Sequence, residues 1–242
     1  NNFYGYTRNR LNYYAALALK ARIALYQGDK ATAYRYAHMV TDSNLFPLTN
    51  LDKITGSNDQ TFTTEHVFAL TSDDLSSVYN RLILPGNLNI PQDAVQALYE
   101  NNATDFRFSS WRPVGTTIIN TKFQQSGFKN DSLSIAGQMP LLRLSEQYYI
   151  LAESTDNIDS ATVFLNTVRR ARGIEQPLQG LTLQTLGAEI LKEYRKEFYS
   201  EGQLFFYYKR LNFSTIPVHG GGSVPIIGES YVWPIPLAET QY

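Results

Sequence analysis

The 242-residue sequence contains no cysteine. That excludes disulfides, thiolate nucleophiles and zinc–thiolate centres. Histidine is scarce. His38, His66 and His219 stand far apart and none falls in an H-E-x-x-H pattern, so no histidine zinc site is expected. No apolar run approaches the ~18 residues that a membrane-spanning helix needs. Neither sign of charge dominates, with 21 Lys and Arg against 22 Asp and Glu. No basic stripe runs along the chain, so nucleic acid is not an expected partner. There is no G-x-S-x-G nucleophile elbow. His219-Gly220-Gly221-Gly222 imitates the oxyanion loop of some lipases, but Pro217 and Pro225 flank it in place of a strand and a helix, so a surface loop is the simpler reading. No signal peptide opens the chain. It begins Asn1-Asn2-Phe3, as expected of a mature or truncated product.

What is present describes a globular chain. Hydrophobic residues make up 43% and charged residues 18%, enough for one large domain or two small ones. The aromatic content is carried by 17 Tyr and 13 Phe against 2 Trp. A tyrosine excess suits wet interfaces or sugar-facing surfaces, because Tyr joins a flat apolar face to a polar tip.

The organising stretch is Leu183–Arg210. Leu183, Leu186, Ile190, Tyr194 and Phe198 recur in steps of three and four, which predicts an amphipathic helix ended by Gly202, then a short aromatic segment from Gln203 to Arg210. Its polar side carries Glu189, Glu193, Glu197 and Glu201, four apart in one column. Like charges at that spacing destabilise an isolated helix, so cations must face them. The Arg169-Arg170-Ala171-Arg172 run just upstream supplies them, with Lys192, Arg195 and Lys196 nearby. An interhelical ion-pair network is therefore expected in preference to a metal or a catalytic carboxylate pair.

Arg8–Gln27 is Ala-rich and apolar nearly all round, the pattern of a helix buried between others. Gly28 breaks it, Asp29 is a good N-cap, and a second helix runs from Lys30 to about Thr41. Leu11–Ser43 thus makes a helix–turn–helix unit of about 33 residues, which resembles a tetratricopeptide repeat. The unit recurs at Leu141–Leu151 and Ser160–Arg172, with Asp159-Ser-Ala161-Thr162 aligned on Asp29-Lys-Ala31-Thr32. Leu183–Glu201 with Gln203–Arg210 forms a third, degenerate pair, and further repeats are expected upstream of Asn1. Between the copies, Asn44–Pro140 is rich in Asn, Ser, Thr, Asp and Gly. It offers a strand at Glu65–Thr71, a short helix at Pro91–Tyr99 and a strand at Thr116–Phe123. A long excursion from a rigid scaffold is where binding usually sits.

Glu193-Tyr-Arg195-Lys-Glu197-Phe198, Glu201-Gly202-Gln203 and Lys209-Arg210 together resemble the C-terminal signature of the SusD/RagB family. Tyr194, Leu204 and Tyr207 depart from its commoner form, which has Arg, Arg and Asp there. The resemblance continues through Asp105-Phe-Arg107, Lys122-Phe123, Leu142-Arg143-Leu144-Ser-Glu146, Ala152-Glu153, and the Trp233-Pro234-Ile235-Pro236 tail with Glu239. It implies a non-catalytic outer-membrane lipoprotein that binds a glycan or other nutrient and passes it to a TonB-dependent transporter. It further implies a chain truncated from one about twice as long, anchored through an N-terminal lipidated Cys that this sequence lacks. In that family the helical repeats are associated with the transporter side and the irregular side with the ligand.

The fold class expected is mainly α: tetratricopeptide-like helical hairpins with a long irregular, strand-poor excursion packed on them. The organisation is one SusD-like domain, with a helical pair at 8–43, the excursion at 44–140, helical pairs at 141–211 and a closing tail at 212–242. A sugar site needs a flat aromatic platform with polar groups beside it. Trp111, Tyr79, Arg81, Arg112 and Arg107 are the candidate ligand residues, with Phe106 and Phe108 nearby. Trp111 leads them, its alternative role being to fill the core under the loop. Asp73, Asp74, Asp93, Glu100 and Asp105 contain no pair marked as glycosidase carboxylates. No metal or cofactor is expected. The competing reading is a repeat-type protein-interaction scaffold without a small-molecule ligand.

Overall fold

The computed structural model describes residues 8–49, 59–83, 89–124, 129–130, 133–134, 137–218, 222–226, 228–232, 234–236 and 239. His219, Gly220, Gly221 and Trp233, on which the lipase-like loop and part of the closing motif were read, lie outside the described residues, as does Asn1–Phe3.

The fold is mainly α. The first hairpin is α1 (Tyr13–Tyr26) and α2 (Lys30–Thr41). Its turn is fixed by two local devices. Gly28 takes the left-handed conformation (φ 82°) that closes α1, with Asp29 N–H reaching back to the Ala24 carbonyl at 2.9 Å. The Asp29 carboxylate then accepts the Thr32 N–H at 3.0 Å and caps α2. Ala15, Ala18, Ala21, Ala24, Ala33 and Ala37 are all buried. Small side chains let these helices approach closely, which explains why α1 can be apolar on so much of its surface.

The second hairpin is α5 (Leu144–Ser154) and α6 (Ile158–Ala171). Helix α5 is the centre of the molecule, packed against α1 and α2 on one side and α6 and α7 on the other. Here α7 is Leu183–Glu197 and is followed by α8 (Gln203–Arg210). Tyr149, Ala152, Leu165, Val168, Leu186, Ile190, Tyr194 and Phe198 form the core on that second side. Leu151 and Ile150 join Ala21, Ala33 and Ala37 on the first. The fold repeats its turn chemistry at Gly173 (φ 82°), where Ile174 N–H bonds the Arg169 carbonyl at 3.1 Å.

The helical boundaries correct the sequence reading in three places. Leu141–Arg143 is not helix but the end of strand β7 (Gln138–Arg143), which pairs antiparallel with β1 (His66–Thr71); Pro140 within it cannot supply an N–H to a helix. The cap of α6 is Asn157, accepting the Ser160 N–H at 2.9 Å, and not Asp159. The two hairpins therefore align Asn157 on Asp29 and Ala161 on Ala33, two residues from the expected match. Helix α7 stops at Glu197, short of Glu201, because the Glu197 carbonyl is taken by Lys122 Nζ at 2.8 Å and Arg143 Nη2 at 3.0 Å. Two cations cap that helix end, where the dipole favours them.

The excursion is more ordered than its composition suggests. It holds α3 (Leu75–Ile83), β2 (Ile90–Pro91), α4 (Gln92–Leu98), β3 (Trp111–Val114) and β4 (Thr117–Asn120), followed by the short β5 (Lys129–Asn130) and β6 (Leu133–Ser134). Strands β2, β4 and β3 make one antiparallel sheet in that order. Ile90, Val95, Leu98, Tyr99, Trp111 and Ile118 form its core against α4. The expected strand at 116–123 is real only over Thr117–Asn120, and α3 and β3 were not anticipated. After α8, β8 (Thr215–Pro217) and β9 (Ser223–Pro225) form a hairpin.

Candidate functional site

The carboxylate column of α7 lies where the excursion meets the helical scaffold, and cations face it as expected. Glu197 is at the centre, fully buried. Its Oε1 accepts from Arg143 Nη1 and Arg172 Nη2, each at 2.6 Å, and its Oε2 from Arg172 Nε and Arg107 Nη1, each at 3.0 Å. Every lone-pair direction of the carboxylate is thereby used. Arg172 turns its other edge to Glu65, with contacts of 2.7 and 2.8 Å. Arg107 also holds Asp105 at 2.6 Å and Glu193 at 3.0 Å. Arg143 reaches Glu201 at 2.8 Å, and Lys122 pairs with Glu201 as well. Arg169 and Lys196 complete the set on Glu193, at 2.8 and 3.2 Å.

Most of these partners come from outside the Arg169–Arg172 run. Among the described residues, Arg170 is exposed and takes no part, and Glu189 pairs only with the exposed Lys192. Arg107, Lys122 and Arg143 belong instead to the short motifs that carried the family resemblance. Glu65 was missed. Its signal was weak: one acid at the start of an apolar strand. Phe62 forms an apolar lid on the network, with Arg172 Cζ 4.1 Å from its ring centre. It does so in a left-handed backbone (φ 58°) that a bulky residue rarely adopts. The Asp59 carboxylate fixes this turn by accepting the Thr63 N–H at 2.7 Å.

The five candidate ligand residues do not converge. Trp111 is 6% exposed, tilted on Tyr199 at 4.6 Å, with Nε1 donating to the Tyr99 hydroxyl at 3.2 Å. It fills the core beneath the sheet, the alternative role named for it, because β3 turns its face inward onto α4. Tyr79 is likewise buried, its hydroxyl donating to the Asn120 carbonyl at 3.2 Å. Arg107 is consumed by the ion network. These three offer no open face to a ligand in this structure. Arg81 and Arg112 are exposed, on α3 and β3. Phe106 is buried on Phe62.

Phe108 differs. It is half-buried at the edge of a groove of about 240 Å³ lined also by Gln96, Tyr99, Asn101, Asn102 and Ala103. That is a little under the ~300–1,000 Å³ usual for small-ligand sites. Glu100 and Asn101, consecutive and both at φ 55°, make the turn that forms its rim. Glu100 is drawn away from the groove onto Lys196 at 2.5 Å and Lys192 at 3.2 Å. Burial acts against the Glu100 carboxylate, but these lysines hold its pKa below the ordinary value, so it stays ionised and paired. Among the described residues no cluster of His, Cys, Asp and Glu could hold a metal, and no helix is long and apolar enough to cross a membrane.

No protein-family model matches the chain, and no curated protein matches it significantly. Solved structures do. A SusD-like carbohydrate-binding protein from Bacteroides vulgatus superposes with a TM-score of 0.68 at 20% identity, over 87% of this chain and 47% of its own. SusD superfamily proteins from Bacteroides thetaiotaomicron and Parabacteroides distasonis both reach 0.70, at 22% and 16% identity. They cover 90% and 98% of this chain, and 53% and 62% of their own. The chain has the SusD-like fold. It spans about half the length of the structures it matches.

Two expectations follow for the network. Glu201→Ala takes from the buried Lys122 its one carboxylate partner among the described residues and should cost about 3–5 kcal/mol. Arg169→Ala removes one charged contact at the network edge and should cost about 1.5–3 kcal/mol. Both should lower the melting temperature and leave ligand affinity unchanged; a loss of affinity in a variant that stays folded would give the column a direct role in binding.

The network also sets a pH dependence. Burial would raise Glu193, but Arg107, Lys196 and Arg169 overcome it and hold the carboxyl at about 2. Glu197 is held well below its ordinary range by Arg172 and Arg143, again against burial. Burial pushes His66 down to about 4, opposed by Asp59 and the Thr61 carbonyl. All three groups bind protons more weakly folded than unfolded, so stability falls as pH falls. The His66 contribution is lost between its ordinary 6.5 and about 4. Those of the glutamates are lost below about 4.5. Urea midpoints measured across pH should decline in these two windows, and His66→Gln should abolish the upper one. An unchanged upper window in that variant would contradict the assignment.

Proposed function

We propose that the chain binds a glycan without turning it over. The observation that carries this reading is the SusD-like fold, matched over 87% of the chain by a protein described as carbohydrate-binding. The site supports it. Two of the five acids considered for a hydrolytic pair are committed to cations: Asp105 to Arg107, and Glu100 to Lys192 and Lys196. The excursion adds the kind of surface a glycan uses, an aromatic ring with side-chain amides around a groove.

The motif resemblance extends the proposal. The protein would act at the outer-membrane surface, held by a lipid on an N-terminal Cys absent from this chain. It would take up a glycan or another nutrient and deliver it to a TonB-dependent transporter. The helical side would then face the transporter and the excursion the ligand.

Affinity electrophoresis and calorimetry against a panel of polysaccharides test the reading. Saturable binding of at least one polysaccharide, with no release of reducing sugar, is expected. Turnover would replace it with a hydrolase, and silence across the panel would favour the interaction-scaffold reading.

A further inference from the structure

The groove beside Phe108 is unlike the other cavities. The cleft beside Phe62 is lined by the charges of the ion network, including Arg107, Lys122 and Glu197. The one between α1 and α8 is bounded by Arg22, Glu146 and Arg210. The Phe108 groove, of about 240 Å³, has no ionised side chain among its lining residues.

Its parts suit a neutral, hydroxyl-rich ligand. Phe108 is held from behind by Tyr99, edge to face at 5.7 Å and 84°. Tyr99 is itself fixed, 2% exposed and bonded to Trp111 Nε1. The platform is therefore rigid while one part of the Phe108 ring stays open. Around it stand three amides. Gln96 and Asn101 are exposed and make no side-chain hydrogen bond among the described residues. Asn102 spends its Oδ1 on the Thr104 N–H at 3.0 Å and the Thr104 hydroxyl at 2.8 Å, while its NH₂ makes no hydrogen bond among the described residues. An amide offers both a donor and an acceptor without charge, the pairing that sugar hydroxyls require. The Asn101 N–H bonds the Gln96 carbonyl at 2.9 Å, so these two residues are tied to one frame. The left-handed turn at Glu100 and Asn101 is clamped by lysines of α7, which holds the rim in place before any ligand arrives.

We propose that this groove is a subsite for one unit of a neutral saccharide, with the sugar ring lying on Phe108 and its hydroxyls bonded by Gln96, Asn101 and Asn102. The assignment rests on the glycan-binding reading and names where in the excursion that binding occurs.

The test uses the isotope-labelled chain, titrated to millimolar maltohexaose, cellohexaose, mannohexaose and xylohexaose, with polygalacturonate as the acidic control. The side-chain amide signals of Gln96 and Asn101 are followed by NMR. At least one neutral hexasaccharide should shift them, and polygalacturonate should not. Phe108→Ala should weaken that binding about tenfold, the worth of a well-placed aromatic contact. Gln96→Ala, at an exposed position with no side-chain hydrogen bond among the described residues, should weaken it severalfold and leave the melting temperature unchanged. A saccharide that shifts other signals and leaves these two amides alone, or an affinity indifferent to both variants, overturns the subsite and leaves glycan binding standing. The absence of any saccharide response overturns both.

Discussion

Glu197 is a carboxylate with no access to water, and the structure is arranged so that it never needs any. Four guanidinium N–H groups from three arginines fill its lone pairs, Lys122 joins Arg143 on its carbonyl, and Arg169 and Lys196 meet the neighbouring Glu193. Removing such an ion from water costs several kcal/mol, and only complete, well-directed pairing offsets that cost. A network of this kind adds little net stability over an apolar core. What it imposes is geometry, because each missing partner leaves a charge stranded in the interior.

That geometry joins the two halves of the fold. Arg172 ends α6, Glu193 and Glu197 sit on α7, Arg143 ends β7, and Glu65 precedes β1. Arg107 and Lys122 come from the excursion. The irregular segment is therefore not loosely appended to a helical scaffold; its position is set by contacts of 2.8–3.0 Å from Arg107 and Lys122 to the scaffold's most buried acids. The same logic reaches the surface. Lys196 bonds Glu193 within the network and Glu100 at its edge, at 3.2 and 2.5 Å, and Glu100 belongs to the left-handed turn that rims the Phe108 groove. A polar binding face thus inherits its rigidity from a buried ionic core.

Much of this was legible in the sequence. The Ala-rich periodicity of 13–26, the Gly28-Asp29 punctuation and the glutamates four apart on 189–201 each have a direct physical consequence, and the helical scaffold and its cation-facing column followed from them. The ends of elements were less legible, because tertiary contacts decide them. Nothing local at Glu197 says that Lys122 and Arg143 will cap the helix there. The excursion was read as irregular because its Ser, Asn and Thr content masks the weak helical spacing of Leu75, Val78, Tyr79 and Leu82. The candidate ligand residues suffered from a more general limit. Composition marks Trp111 as a possible platform, but whether an aromatic ring faces solvent or the sheet core depends on the register of β3 against β4, which no local pattern records. Phe108, three positions earlier, carries the open ring.

The buried ions act as one unit. A double-mutant cycle between Arg172→Gln and Glu197→Gln, read by urea unfolding at neutral pH, tests it most directly. The two side chains share two charged contacts, of 2.6 and 3.0 Å, and each neutralisation alone leaves its partner short of them. A coupling energy of about 2–3 kcal/mol is predicted, the double variant being far less damaged than the sum of the singles. Additivity within about 0.5 kcal/mol would contradict the claim and reduce the network to a set of independent pairs.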